Sequence, residues 1–176
     1  MKSSFLIILV LSVVLAGCKK TDTPAGSGTI TIDNTTFQST TYYVFGFSFS
    51  KAAKVSTLEV PGPDILVYVN ADTPPARLTL QADNLNPSFY KIGDYLDAQS
   101  ATTAFNELKT VGTYNWTEMA DPIASNQVWV YRTSTNCYAK MRIISAVIDD
   151  TKTPVFGECT LQWVYQPDGS TTFPAK

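Results

Sequence analysis

Residues 40–50 read TTYYVFGFSFS, and this stretch decides the fold class. Its aromatic residues recur at every second position from Tyr43 to Phe49, whereas a helical period would scatter these rings around the axis. Side chains at period two share one face of a β-strand. The stretch therefore predicts a strand with one aromatic face, and we expect residues 54–60 to be its hairpin partner.

Similar patterns continue on both sides of this stretch. Alternating or continuous apolar segments, bounded by Pro, Gly, Asp or Asn, predict further strands at residues 29–33, 64–70, 77–82, 128–133, 137–148, 155–166 and 171–173. Residues 98–111 change to a helical period, with Asp97 or Ser100 as the N-cap and Gly112 beyond the end. These features predict a mainly β protein, an antiparallel β-sandwich or partly open barrel with one short amphipathic helix at about 98–111.

Composition excludes several classes of function. The 176 residues include 13 Lys and Arg, 15 Asp and Glu, and no histidine. A net charge of -2 provides no basic surface for nucleic acid. Without histidine, the chain lacks the usual general base and the commonest metal ligand. We therefore expect no catalytic residues, no metal site and no nucleic-acid partner.

The N-terminus carries a targeting pattern. Lys2 precedes the apolar run FLIILVLSVVL at residues 5–15, which is too short to span a bilayer as a helix. The run ends in LAGC at residues 15–18, which resembles the lipobox of bacterial lipoproteins. That resemblance implies that residues 1–17 are a signal peptide and that Cys18 carries a lipid anchor. It also implies a location in the bacterial envelope, at the outer membrane, on its periplasmic or cell-surface face. An uncleaved anchor or an ordinary secreted protein is the alternative.

The next residues are predicted to be a linker. Residues 18–28 contain Pro, Gly, Ser and Thr without apolar periodicity, which is typical of a flexible tether. Lys19 and Lys20 within it are either a solvated part of the tether or a sorting signal. The remaining residues, 29–176, are predicted to form one β-rich domain.

Two cysteines follow Cys18. Cys137 and Cys159 occupy odd positions on neighbouring predicted strands, which predicts that both face the core. A tight hairpin at residues 149–154 would separate them by about 20 Å along the strands, beyond the reach of a disulfide. A long loop or a shifted register would allow the bond, so a disulfide and two core thiols both remain open.

The strand predicted at residues 137–148 also divides its other side chains between two faces. Met141 and Val147 share the odd-numbered face, so we expect them in the core. Lys140 and Arg142 occupy the opposite face, which we expect to be solvated or to meet an acidic partner.

The residues favour binding over catalysis. Trp116, Trp129 and Tyr131 are the candidate ligand contacts, because aromatic rings stack on sugars and line apolar pockets. Trp129 alternates with Val128 and Val130, so we expect one of these two sets to face solvent. The chain is therefore predicted to be a non-catalytic binding module for a glycan, a protein or a small molecule. A structural or assembly subunit that pairs through a sheet edge is the alternative.

Four segments taken together resemble a known family. They are TTYYVFGFSFSKAAKV, PDILVYV, QVWVYRTSTNCYAKMRI and TLQWVYQ, and their order is similar to that in small HmuY-type lipoproteins, which are all-β. The resemblance implies a third function, haem capture, which uses His or, in some members, Met ligands. This chain has no histidine, and only Met119 and Met141 follow the predicted signal peptide. Since Met141 is expected to fill space in the core, we expect no haem or other cofactor.

Overall fold

The computed structural model describes residues 26–38, 43–72, 74–82 and 86–174. Within these ranges the chain forms ten strands and one helix. In chain order they are β1 (Ser27–Asp33), β2 (Phe45–Ser48), β3 (Ala53–Ser56), β4 (Ile65–Asn70), β5 (Arg77–Ala82), β6 (Phe89–Asp94), α1 (Ala98–Glu107), β7 (Met119–Ala120), β8 (Gln127–Arg132), β9 (Tyr138–Asp149) and β10 (Phe156–Gln166). The predicted signal peptide and Cys18 lie outside the described residues.

The strands form two antiparallel sheets of five strands each. The first sheet has the order β1-β10-β9-β8-β6, and the second has the order β3-β2-β4-β5-β7. Contacts of β10 with β4, and of β9 with β5, join the two sheets. Neither sheet closes on itself, so of the two predicted architectures the antiparallel β-sandwich is confirmed.

The long β9–β10 hairpin organises the first sheet, and it pairs in the register that a tight turn predicts. A β-bulge lies at Ile144, because Ile143 pairs with Leu161 and Ser145 pairs with Thr160. Ile144 therefore has no residue opposite it on β10. The extra residue reverses the alternation of side chains along the rest of β9. Val147, which was expected in the core, is therefore 44% exposed.

The centre of the core is aromatic. Phe47 and Phe49, from the stretch that predicted the fold, are each 1% exposed between the sheets. The Phe47 ring lies 5.2 Å from the ring of Trp163, and the Phe49 ring lies 5.4 Å from the ring of Tyr131. Each fully buried phenylalanine contributes roughly 1.5–3 kcal/mol of apolar transfer free energy. The aromatic face of β2 therefore holds the two sheets together.

A third layer covers the outer face of the first sheet. The rings of Phe105 on α1 and Phe173 near the C-terminus pack with Val128 and Val130. Trp129 instead belongs to the core between the sheets. The prediction that one of the two β8 faces is exposed is therefore wrong, because each face is covered by a different layer.

The helix has the N-cap that its sequence predicted. The Asp97 side chain accepts a hydrogen bond from the Ser100 backbone, and the Ser100 hydroxyl accepts one from the Asp97 backbone, which forms a capping box. The helix ends at Glu107 rather than at 111. Beyond it, the Val111 backbone donates to the carbonyl oxygen of Thr171 at 2.7 Å, so this segment pairs with the C-terminal chain instead of extending α1.

Lys140 joins this helix to the sheet. It is 4% exposed, and its Nζ atom donates to the carbonyl oxygens of Phe105 and Leu108, each at 2.8 Å. Carbonyl groups at a helix C-terminus lack partners within the helix and carry partial negative charge. The expectation of a solvated Lys140, or one that meets an acidic partner, is therefore corrected: the lysine binds the end of α1.

Several strands differ from their predicted bounds. No pattern predicted β6 or β7; β6 is interrupted by an irregular register between Lys91 and Gly93, which obscures its alternation. The strand predicted at residues 54–60 pairs only as β3, and the one predicted at 171–173 is a single bridge between Thr110 and Thr172. Residues 39–42 lie outside the described residues.

Candidate functional site

Two of the three predicted ligand contacts are core residues. Trp129 is 3% exposed and Tyr131 is 1% exposed. The Trp129 Nε1 atom donates to Gln127 Oε1 at 3.0 Å, and the Tyr131 hydroxyl donates to the carbonyl oxygen of Asp64 at 2.8 Å. Their polar groups are thus satisfied inside the protein. We therefore remove Trp129 and Tyr131 from the candidate contact residues.

The third, Trp116, is half-buried and belongs to an aromatic ladder, which consists of Tyr90, Tyr114, Trp116 and Tyr138. Tyr90 and Tyr114 are stacked with centroids 4.0 Å apart, and Trp116 lies 5.5 Å from Tyr114 and 6.3 Å from Tyr138. The Arg132 guanidinium lies 4.7 Å from the centre of the Trp116 ring. These contacts attach the segment around Trp116 to the first sheet, and all four ladder residues are only partly exposed.

The two cysteines beyond Cys18 do not bond to each other. Cys159 is a free and fully buried thiol that lies opposite Ala146, near the turn of the β9–β10 hairpin. Cys137 is also buried, but it precedes β9 at the other end of the hairpin. Burial, with a smaller contribution from the Glu158 charge, raises the pKa of the Cys159 thiol from 9.0 to about 12. A thiol with this pKa is not a reactive nucleophile near neutral pH.

The methionines do not approach one another through any described contact. Met141 is fully buried in the core, as expected from its strand face, whereas Met119 is 36% exposed and accepts a hydrogen bond from Gln81. Among the described residues, no cluster of three or more His, Cys, Asp or Glu residues could hold a metal ion. In the same part of the chain, no helix has the length and apolar character required to cross a bilayer.

Two exposed aromatic rings lie close together at the end of the sandwich where β1 ends and β2 and β10 begin. Two clefts open there on either side of Thr35 and Thr36, which line both. The first cleft has a volume of about 340 Å³ and is also lined by Asn34, Lys152, Thr153, Pro154 and Phe156. The second has a volume of about 250 Å³ and is also lined by Asp33, Phe37, Phe45 and Lys54. We refer to them together as the paired clefts.

Local hydrogen bonds hold the ridge between these clefts in place. The Asn34 side chain donates to the carbonyl oxygen of Val155 and accepts from the Gly157 backbone, both at 2.9 Å, which continues the β1–β10 pairing by one residue. The Asp33 carboxylate accepts a hydrogen bond from the Thr35 backbone at 2.8 Å, in the manner of an Asx-turn. The polar sequence after β1 therefore turns the chain outward at Thr35.

The second cleft has the more exposed rings. Phe37 is 37% exposed and Phe45 is 46% exposed, and their centroids lie 5.0 Å apart. The Phe37 backbone donates to the carbonyl oxygen of Tyr43 at 2.9 Å, which fixes the segment that carries this ring against the start of β2. Two phenylalanine rings thus line a cleft whose other side carries threonine hydroxyls.

Each cleft also contains one lysine beside a carboxylate. In the first, Lys152 lies 3.6 Å from Asp149 and 4.5 Å from the centre of the Phe156 ring. A hydrogen bond from the Thr151 hydroxyl, together with the Lys152 charge, lowers the pKa of the Asp149 carboxyl. In the second, Lys54 lies 4.0 Å from Asp33. The clefts therefore combine ring surface, hydroxyl groups and locally balanced charge, which is suited to a polar ligand with apolar faces.

Comparison with known proteins assigns no family. No protein-family model matches the chain, and no curated protein matches it. The resemblance to HmuY-type lipoproteins and to the lipobox therefore remains a prediction from the quoted residues.

The sequence pattern indicated Trp116, Trp129 and Tyr131 as ligand contacts, and none of these residues lines the paired clefts. Phe37 lies in the polar segment at residues 33–38, DNTTFQ, where a single large apolar side chain has no periodic partner. That isolation is the one signal that distinguishes it from a core residue. Phe45 had no such signal, because it shares the alternation of Phe47 and Phe49.

Proposed function

We propose that this chain is a lipid-anchored, non-catalytic binding module of the bacterial envelope, and that it binds a glycan in the paired clefts. The observation that carries the proposal is the pair of exposed rings, Phe37 and Phe45, beside a threonine ridge that both clefts share. Sugar rings have apolar faces that stack on aromatic side chains and hydroxyl groups that hydrogen-bond to polar ones.

The dimensions support a ligand with more than one ring. The first cleft, of about 340 Å³, lies at the lower end of the size range of small-molecule sites, and the second, of about 250 Å³, lies just below that range. Because Thr35 and Thr36 line both, an extended oligosaccharide that crosses this ridge would place one ring near Phe156 and another near Phe45. We infer that a ligand of this shape, rather than a compact molecule, is the better fit.

The anchor is supported by the sequence and is compatible with the position of the clefts. The resemblance to a lipobox implies a lipid on Cys18, and the described chain begins at Gly26, whose carbonyl oxygen accepts a hydrogen bond from the Tyr165 backbone at 2.7 Å. The paired clefts lie at the opposite end of β1, about 20 Å away for a strand of this length. A protein held by Cys18 at the outer membrane would therefore keep its own tether away from its binding surface.

The test of binding is a glycan array, followed by titration of the best ligand with matched variants. Phe45→Ala is expected to weaken binding roughly tenfold, because an aromatic residue at the centre of a contact typically contributes more than about 1 kcal/mol. Tyr68→Ala is the control, since Tyr68 is 40% exposed but lies on β4 and does not line either cleft. Equal binding by Phe45→Ala and the parent protein would contradict the proposal.

The anchor is tested separately by expressing the full chain with labelled fatty acid. We expect label on the parent protein and none on Cys18→Ser, with Cys159→Ser as a matched control that retains the label. Label that persists on Cys18→Ser would exclude anchoring at this residue. A haem titration of the same protein is expected to leave the haem spectrum unchanged, and a shifted Soret band would favour the haem-binding alternative.

A further inference from the structure

The four edge strands of the sandwich differ in how well they are protected. Within the described residues, β7 has two residues, and β3 has four and carries Lys54. The β6 edge has an irregular register at Gly93 and carries Lys91. It is also partly covered, because the Phe89 backbone exchanges two hydrogen bonds with the Thr117 backbone. Short length, charge, irregularity and covering are the usual means by which proteins protect sheet edges.

Within the part of the chain that the structure describes, the remaining edge, β1, lacks most of these protections. It has seven residues, SGTITID, which pair with β10 in one uninterrupted register. It contains no proline, and its single charged residue, Asp33, is the last. An exposed, regular strand of this kind is a template for a further strand.

The hydrogen bonds at the two ends of β1 identify the residues that face outward. Asn34 donates to Gly157, and Gly26 accepts from Tyr165, so the even-numbered residues make the bonds to β10. Because backbone groups alternate between the two sides of a strand, the odd-numbered residues direct theirs to the open side. These are Ser27, Thr29, Thr31 and Asp33, and no described residue pairs with their backbones on that side.

We propose that this edge pairs with the same edge of a second copy of the chain, in an antiparallel arrangement centred on Ile30. In that register Thr29 lies opposite Thr31 of the second copy, and Ser27 lies opposite Asp33. Each of these pairs joins outward-facing backbones, so each exchanges two hydrogen bonds. The two first sheets then form one continuous sheet around a two-fold axis.

The side chains of β1 are complementary to themselves in this register. The Thr29–Thr31 pairs are of a type that is favourable across strands, and no charged residue meets a like charge. Ile30 is partly buried against the core of its own protomer, and on the two-fold axis it meets Ile30 of the second copy at a position without backbone hydrogen bonds. Such positions bring side chains closest together. This self-complementarity selects a second copy over an unrelated strand.

The first test is the oligomeric state of the full chain with Cys18→Ser, measured by analytical ultracentrifugation over a wide concentration range. We expect a reversible monomer–dimer equilibrium, and a monomer at every concentration would overturn the proposal. Thr29→Pro removes an outward N–H group while leaving the bonds to β10 intact, so it is expected to weaken dimerisation at least about tenfold. Thr29→Val keeps that N–H group and is expected to dimerise like the parent protein.

A cross-linking test does not depend on how well Thr29→Pro folds. Residues that face each other without backbone hydrogen bonds have Cα atoms about 4.5 Å apart, which is within the range of a disulfide. Ile30→Cys is therefore expected to form a covalent dimer on mild oxidation, whereas Thr29→Cys, which lies opposite position 31, is not. Failure of Ile30→Cys to cross-link, or equal cross-linking of both variants, would overturn the register. Neither substituted residue lines the paired clefts, and the cross-linking is carried out without glycan, so the result does not depend on ligand binding.

Discussion

The aromatic ladder and the paired clefts both contain aromatic rings, tyrosine and tryptophan in the ladder and phenylalanine in the clefts, but present them in different ways. In the ladder, Tyr90 and Tyr114 stack at 4.0 Å and Arg132 covers Trp116, so the ring faces are occupied by neighbours in the chain. In the second cleft, Phe45 is 46% exposed and leaves ring surface for a ligand. The availability of a ring for binding therefore depends on which neighbours contact it.

The same contrast occurs within a single strand. Phe45 and Phe47 are two residues apart on β2 and share one face, yet Phe47 is 1% exposed. Phe47 lies opposite the first sheet and packs on Trp163, whereas Phe45 lies at the end of the sandwich beside Phe37. Substitutions at these positions separate stability from binding.

The largest effect is expected from Phe47→Ala. Removing a buried phenylalanine leaves a cavity between the sheets, and the free energy of unfolding is expected to fall by about 3–5 kcal/mol. Urea unfolding followed by tryptophan fluorescence measures this change. A loss below about 1.5 kcal/mol would show that the two sheets do not depend on the aromatic face of β2.

Trp116→Ala is expected to have the next largest effect on stability. The substitution removes ring contacts with Tyr114 and Tyr138 and the Arg132 cation–π contact, which together contribute about 1–3 kcal/mol. Trp116→Phe is expected to retain most of this stability. If Trp116→Ala instead weakens glycan binding while leaving stability unchanged, then the ladder, and not the paired clefts, is the binding surface.

The buried Cys159 thiol makes stability depend on alkaline pH. Its pKa is about 12 in the folded chain and 9.0 ordinarily, so the unfolded chain loses its proton first as the pH rises. Its contribution to stability is complete below about pH 9 and decreases as the pH approaches 12. Cys159→Ala is expected to reduce the decrease in unfolding free energy between pH 8 and 10.5, measured with urea. The same slope in both proteins would contradict a buried thiol at this position.

The smallest effect on stability is expected from Phe45→Ala. Because this ring is half exposed and lies at the end of the sandwich, the free energy of unfolding should change by no more than about 0.5 kcal/mol. Combined with a roughly tenfold loss of glycan binding, this result would show that Phe45 serves recognition. A large loss of stability would instead place Phe45 with Phe47 as a structural residue.

The fold class and most strands followed from local patterns. Alternation over residues 40–50 predicted the aromatic face, residues 77–82 predicted β5 with its observed bounds, and Asp97 with Ser100 predicted the helix N-cap. These features depend on neighbours a few residues apart, which the sequence contains directly. β6 was missed because its irregular register at Gly93 breaks the alternation on which strand prediction depends.

The candidate site could not be predicted in the same way. Trp129 and Val130 alternate as in a strand with one exposed face, but both are buried, because Trp129 lies in the core between the sheets and the third layer with α1 covers Val130. Lys140 was expected at the surface, but it is buried because the end of α1 lies above it. Phe45 becomes a cleft residue because the segment at Phe37 returns beside it. The first two outcomes depend on segments far apart in sequence, and the third depends on a contact between residues eight positions apart that strand alternation does not reveal.

The sequence by itself therefore determined most of the strands, the aromatic face of β2, the helix cap and the expectation of a lipid anchor at Cys18. These follow from side-chain period and from short motifs, which are properties of adjacent residues. Only the tertiary structure decided which rings are exposed, where Cys159 lies relative to Cys137, and that no described residue pairs with the outer side of β1. Exposure and pairing depend on which surfaces meet when the sheets and the helix pack, and that packing brings together residues distant in the chain.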